Sequence, residues 1–227
     1  MSQGFVASDD SQESIWEVMR TARSVRQFRD EPVEDSVLLR CLEAATWAPS
    51  AGNRQPWRFV VLRSSTARRA LDSAARAALE LIQTTYRLDR PGPNNRTSRA
   101  RTAQSIVALH ESADRIPAAV LFAVRRELEI PLFAQGASIY PALQNFLLAT
   151  RAVGLGAVVT GWHVTGEHLL RRAVGVPPAW QLAALVVVGW PQSTNHRPVR
   201  RRPVARVVYF DHWGSGSRHG QHVEDMA

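Results

Sequence analysis

LFAQGASIYPALQNFLLATRAVGLGAVVTGW, residues 132–162, is the stretch whose reading decides the fold. Ala137, Tyr140, Leu143, Leu147 and Leu148 recur at helical spacing, so a long helix is expected within Leu132–Val153. Gly154 stands where a helix C-cap belongs, and Leu155–Trp162 then reads as a short apolar strand. Gly154-Leu-Gly156 is therefore not a dinucleotide fingerprint. Its third glycine is missing, and it follows a helix where the fingerprint follows a strand. That excludes the usual reading of a glycine-rich turn in a doubly wound sheet.

Outward from this stretch, strands are expected at Trp57–Leu62, Pro117–Val124, Leu182–Gly189 and Val204–Phe210. Helices are expected over Ile15–Thr21, with Asp10-Ser-Gln-Glu13 as capping box, and from Asp35, as cap, to just before Pro49. Further helices are expected over 65–88 and Ser98–Glu111, with a short one capped by Thr165. Leu38, Cys41, Leu42 and Ala45 form the apolar face of the second helix, so Cys41 reads as an inert core thiol. Trp47, Trp57 and Trp180 read as core. The helices come in pairs between strands instead of one per strand, which indicates a single α+β domain. It spans residues 14–210, after an extension at 1–13 and before a flexible tail at 211–227.

The chain has 227 residues, 45% hydrophobic and 21% charged, which are globular values. No apolar run is long enough for a membrane span, which needs about 20 residues. No secretory signal is visible and there is one cysteine, so a cytoplasmic protein is expected. The net charge of +8 is carried wholly by arginine, scattered among acidic residues except in the run Arg197–Arg206. That is a weak footprint for nucleic acid, and no such partner is expected. His212, His219 and His222 have no compact ligand spacing, so no metal is expected.

Three constellations carry chemistry, and the third, the Arg197–Arg206 run, reads as a solvated face or as a second arginine source for the anion that Arg23 and Arg26 would hold. Arg23-Ser-Val-Arg-Gln-Phe28 presents two guanidiniums and a hydroxyl from an extended segment, which suits a phosphate or carboxylate as well as it suits a solvated turn. Ala48-Pro-Ser-Ala-Gly-Asn-Arg-Gln-Pro-Trp57 is a proline-stiffened loop. Its carboxamides match a heterocycle edge, and its small residues admit a flat ring. It reads equally as a structural loop.

"RSVRQF", "APSAGNRQPWRFVV", "GLGAVVTGW", and "VVVGWPQ" with "RRRPV", in that order, resemble the FMN-dependent nitroreductase family over roughly residues 14–208. The resemblance implies a three-layer α+β fold, a central, mostly antiparallel sheet flanked by helices, in an intertwined homodimer. It implies FMN as cofactor, NADH or NADPH as donor, and hydride transfer to nitroaromatic, quinone or related conjugated acceptors. Arg23, Ser24 and Arg26 match the phosphate-gripping segment, with Ala22 where the family has a further arginine. Arg201, flanked by Arg200 and Arg202, matches the late basic position. Ser50, Ala51, Asn53 and Gln55 fall on the loop that lies against the partner's flavin, and Thr160, Gly161 and Trp162 on the stretch at the flavin N5 edge. Tyr86, Arg96 and Arg99 fall where the family contacts substrate. No side chain is expected to do the chemistry, which belongs to the flavin. His163, after the N5-edge strand, reads as a capping histidine before it reads as a proton donor. The alternatives within the resemblance are a dehalogenase-like, flavin-cleaving or deazaflavin-linked enzyme, or a flavin-binding protein without turnover.

Overall fold

A computed structural model describes residues 14–86, 92, 95, 97–127, 129–193 and 197–215. Four strands, β1 (Trp57–Val61), β2 (Ala118–Arg125), β3 (Gly156–Thr160) and β4 (Trp180–Gly189), form one sheet in the order β1-β2-β4-β3. Every pairing between them is antiparallel. β2 and β4 are nearly continuous apolar runs, as strands covered on both faces must be.

The cover is helical on each side. One face buries Val120, Phe122, Val186 and Val188 under α2 (Asp35–Thr46) and α5 (Leu132–Ala152). The other buries Ala119, Leu121, Leu185 and Val187 under α3 (Ser65–Tyr86), α6 (Trp162–Thr165) and α7 (Glu167–Val174). The alternation survives a β-bulge. The register shifts between Phe122, opposite Ala184, and Ala123, opposite Leu182, so Ala183 is the extra residue. Ala183 and Ala184 accordingly both pack on the first face. This is the expected three-layer α+β arrangement. α1 (Ile15–Thr21) lies against α5, and α4 (Ser98–Glu111) against α3.

Several local expectations are corrected. Ser14 caps α1, its Oγ accepting from Glu17 N–H at 3.3 Å. The Asp10–Glu13 box lies outside the described residues. Glu34 is the N-cap of α2; Asp35 is inside the helix, and its carboxylate instead takes the Arg63 guanidinium at 2.7 Å. Gly166 caps α7, while Thr165 closes α6 and donates its hydroxyl to the Ala74 carbonyl. Gly154 follows α5 with φ +82°, the left-handed conformation a helix end favours. α5 buries Ile139, Ala142, Leu143 and Phe146 but exposes Tyr140, because its buried face is rotated from the one the spacing marked. Trp47 is 73% exposed, so it is not core; it stands at the end of α2, beyond the face that meets the sheet.

Residues 197–227 form a separate unit from 1–196. The expected strand over Val204–Phe210 is absent. Val204–Arg206 makes a 3-10 turn, Val204 and Val207 are exposed, and no neighbouring backbone pairs with the stretch among the described residues. The Tyr209 and Trp213 rings meet at 5.2 Å within this unit.

Candidate active site

Arg23–Phe28 docks along the outer edge of β3. Ser24 bridges Ala157 in parallel, and Val25 N–H donates to the Ala157 carbonyl at 3.0 Å. Gly156 permits this approach, since a Cβ there would meet Val25 side-chain carbons at 2.6–2.8 Å. Gly189 does the same for Phe28, whose ring a Cβ would meet at 2.8 Å. Two glycines thus hold the basic segment against the sheet.

The docking aims Arg26 at a cavity of about 350 Å³. Its walls are Val158–Trp162 from β3 and the start of α6, Ala78, Leu81 and Ile82 from α3, and Ile106, Leu109 and His110 from α4. Thr160, Gly161 and Trp162 are therefore brought together with Arg26. A Cβ at Gly161 would meet nothing within 4 Å, so the backbone there is open to a flat group. Arg26 is half-buried and makes no hydrogen bond or ion pair among the described residues. Burial and the neighbouring Arg23 charge lower its pKa. An unpaired, partly desolvated cation calls for an anion. Trp162 adds a second unmet group: its Nε1 is the buried side-chain polar atom without a partner among the described residues.

His110 is the wall residue that sequence reasoning missed. Its Nδ1 lies 2.7 Å from the Ile106 carbonyl, which can only accept, so Nδ1 carries the hydrogen and Nε2 a lone pair. Its ring meets Trp162 edge-on at 5.1 Å. Burial, with a smaller contribution from Arg26, lowers its pKa, so it is neutral. The available signal was a histidine four residues after Ile106, on the apolar side of its helix. His163 donates from Nδ1 to the Thr160 carbonyl at 3.2 Å, closing the turn after β3, and burial likewise lowers its pKa. It is not among the wall residues of this cavity.

The Ser50–Gln55 loop is elsewhere. It enters β1, at the opposite edge of the sheet from β3, three strand spacings or about 14 Å across. Gly52, Asn53 and Gln55 have φ of +57°, +52° and +50°. Left-handed backbone at two non-glycine residues is strained and needs support. Ser50 Oγ accepts from Gln55 N–H at 3.0 Å, Gln55 Nε2 donates to Asn53 Oδ1 at 3.1 Å, and Ala51 N–H reaches Ser138 Oγ at 3.4 Å. Arg54 pairs with Glu127 at 2.7 Å. The result is a braced loop with Ala51–Gln55 exposed to solvent. Arg99 is exposed on the first turn of α4, the side chain of Tyr86 and all of Arg96 lie outside the described residues, and Arg200–Arg202 belong to the separate unit, where Arg201 donates to the Arg200 carbonyl at 2.9 Å.

A helix-covered antiparallel sheet with a basic segment docked on its edge, beside an apolar cavity, defines a class. The chain belongs to the nitroreductase family, whose sequence profile matches residues 19–190. It is 34% identical over 202 residues to an NADH dehydrogenase of Thermus thermophilus, covering 83% of this chain and 91% of that one. It is 31% identical over 188 residues to a 5,6-dimethylbenzimidazole synthase of Rhodospirillum rubrum, covering 79% and 83%. Among solved structures, a variant of an FMN and NADPH-dependent nitroreductase from Sphigopyxis sp. superposes with a TM-score of 0.66 at 22% identity, covering 88% and 100%.

Proposed function

We propose that the protein is an FMN-dependent oxidoreductase that passes hydride from NADH or NADPH to a nitroaromatic, quinone or related conjugated acceptor. The observation that carries this reading is the Arg26 guanidinium, unpaired among the described residues, on the wall of a mainly apolar cavity. Relatives support it: an NADH dehydrogenase by sequence and an FMN and NADPH-dependent nitroreductase by fold. Bound FMN would supply the hydride chemistry; the chain supplies binding, orientation and electrostatics. Arg23, Ser24 and Arg26 form the anion anchor on the β3 edge. Gly161, between Thr160 and Trp162, offers open backbone to the ring. Neutral His110 offers a hydrogen-bond acceptor on a wall that is otherwise mainly apolar. Tyr86, Arg96 and Arg99 remain candidate substrate contacts.

Ser50, Ala51, Asn53 and Gln55 act on the same ligand only if a second copy delivers them, because they stand at the far edge of the sheet. The proposal therefore includes a homodimer. Exposed apolar groups on the helices that cover one face of the sheet support it: Trp16 and Met19 on α1, Leu39 on α2, and Phe133 and Tyr140 on α5, Phe133 at 95%. Among the described residues no helix is long and apolar enough to cross a membrane.

Anaerobic titration tests the core of the reading. The purified protein should carry FMN, and NADH or NADPH should bleach its visible flavin band. FMN that neither nucleotide reduces would refute the oxidoreductase function and leave a flavin-binding protein. Likeness to the benzimidazole synthase favours a second reading, a flavin-cleaving enzyme. Under that reading, reduced FMN in air would yield a benzimidazole product detectable by mass spectrometry.

A further inference from the structure

The wall of the apolar cavity holds two buried polar groups that the described fold does not use. His110 is 6% exposed; its Nδ1–H donates to the Ile106 carbonyl at 2.7 Å, and its Nε2 lone pair has no partner among the described residues. Trp162 is fully buried, and its Nε1–H has no acceptor among the described residues. Buried polar groups are ordinarily paired, so a donor and an acceptor left over on one cavity wall point to what fills it. The other polar side chains of that wall are committed or cannot accept. Thr160 and Thr165 donate their hydroxyls to the Leu185 and Ala74 carbonyls at 3.3 and 3.1 Å, and Arg26 only donates. The His110 and Trp162 rings meet edge-on at 5.1 Å, so the free acceptor and the free donor belong to neighbouring side chains.

We propose that His110 and Trp162 form a recognition pair for a planar amide: a carbonyl that accepts from Trp162 Nε1–H, beside an N–H that donates to His110 Nε2. Nitro groups and quinone carbonyls only accept, so either would leave His110 unmet, and the pair does not suit the electron acceptor. The inference rests on the flavin reading above and concerns the ring end of the ligand, not its anion anchor. Within that reading two ligands carry a planar amide, the flavin in its pyrimidine ring and the nicotinamide donor in its carboxamide. Either suits walls of Ala78, Leu81, Ile82 and Leu109, which offer apolar surface and no competing side-chain hydrogen bond. His110 and Trp162 then determine specificity for the ring, as a phosphate anchor cannot.

The test compares each ligand with a form that lacks only the amide N–H. Apoprotein is titrated with FMN and 3-methyl-FMN by fluorescence. Holoenzyme is assayed with the nicotinamide donor it oxidises and with that donor's acetylpyridine analogue, in which a methyl ketone replaces the carboxamide. His110→Asn keeps a donor within reach of the Ile106 carbonyl and removes the Nε2 acceptor, whereas His110→Gln sets an amide oxygen near the Nε2 position. If the pair reads the flavin, His110→Asn should weaken FMN about three- to tenfold and leave 3-methyl-FMN unchanged, and His110→Gln should restore FMN. If it reads the donor, both flavin affinities stay fixed, and His110→Asn raises the donor KM by a similar factor without raising that of the analogue. A loss shared by both members of a ligand pair is disturbed packing, a gain confined to 3-methyl-FMN is relief of crowding, and no change anywhere is a pair satisfied by water. Each of these overturns the recognition pair while the flavin reading stands. Wild-type apoprotein that binds no FMN overturns the flavin reading, and the pair with it.

Discussion

Arg26→Ala separates the cost of a site from its use. The guanidinium is half-buried, has no partner among the described residues, and is destabilised by burial and by Arg23. In the ligand-free protein it contributes desolvation without compensation, so removing it should leave the apoprotein's Tm unchanged or slightly higher. With FMN bound, the same group would make a charge-assisted hydrogen bond, worth about 1.5–3 kcal/mol. Each 1.4 kcal/mol is about a factor of ten, so FMN affinity should fall about tenfold to a hundredfold. Fluorescence titration of wild-type and Arg26→Ala apoproteins with FMN and riboflavin measures four affinities. Riboflavin lacks the phosphate and should bind both proteins equally weakly. If FMN and riboflavin weaken alike, or neither weakens, Arg26 does not hold the phosphate. If the apoprotein loses stability, the argument that Arg26 is an uncompensated cation fails.

Gly156→Ala places a Cβ against three Val25 carbons at 2.6–2.8 Å, so it should destabilise the protein by about 1–3 kcal/mol and weaken FMN binding by lifting the basic segment; urea denaturation and flavin titration would show both. His110 and His163 have pKa values lowered by burial. Stability is therefore complete above the unfolded value near 6.5 and falls as pH drops below it, by at most about 1.4 kcal/mol per pH unit for each group. Denaturation between pH 5 and 7.5 should show that slope, and His110→Gln should flatten it; a pH-independent wild type would refute the assignment. Cys41 is fully buried, with its thiol raised to about 11, so a thiol reagent at pH 8 should leave the native protein unmodified and react in denaturant.

Periodicity and capping chemistry are local, and they were legible along the chain. The buried face of α2 is the one its spacing marked, α4 begins and ends at Ser98 and Glu111, and the chain order placed helices on both sides of a sheet. The exceptions have local causes too. Glu34 and Gly166 cap where Asp35 and Thr165 were expected, because backbone geometry and a competing partner, Arg63 or the Ala74 carbonyl, claimed those side chains. The candidate Val204–Phe210 strand had the right residues, but among the described residues no strand ladder forms along it, and a strand does not exist without one. The motifs themselves could be read as anion-binding and ring-binding chemistry from residue types alone. What no sequence distance carries is which groups meet. Arg26 and His110 are 84 residues apart in numbering yet line one cavity, because the glycines at 156 and 189 let the basic segment reach the sheet edge beneath α4. Ser50–Gln55 is nearer to Arg26 in sequence, but strand order sets it on the opposite edge. Side-chain chemistry was decided residue by residue; the assignment of those side chains to one site or two was decided by the order of four strands.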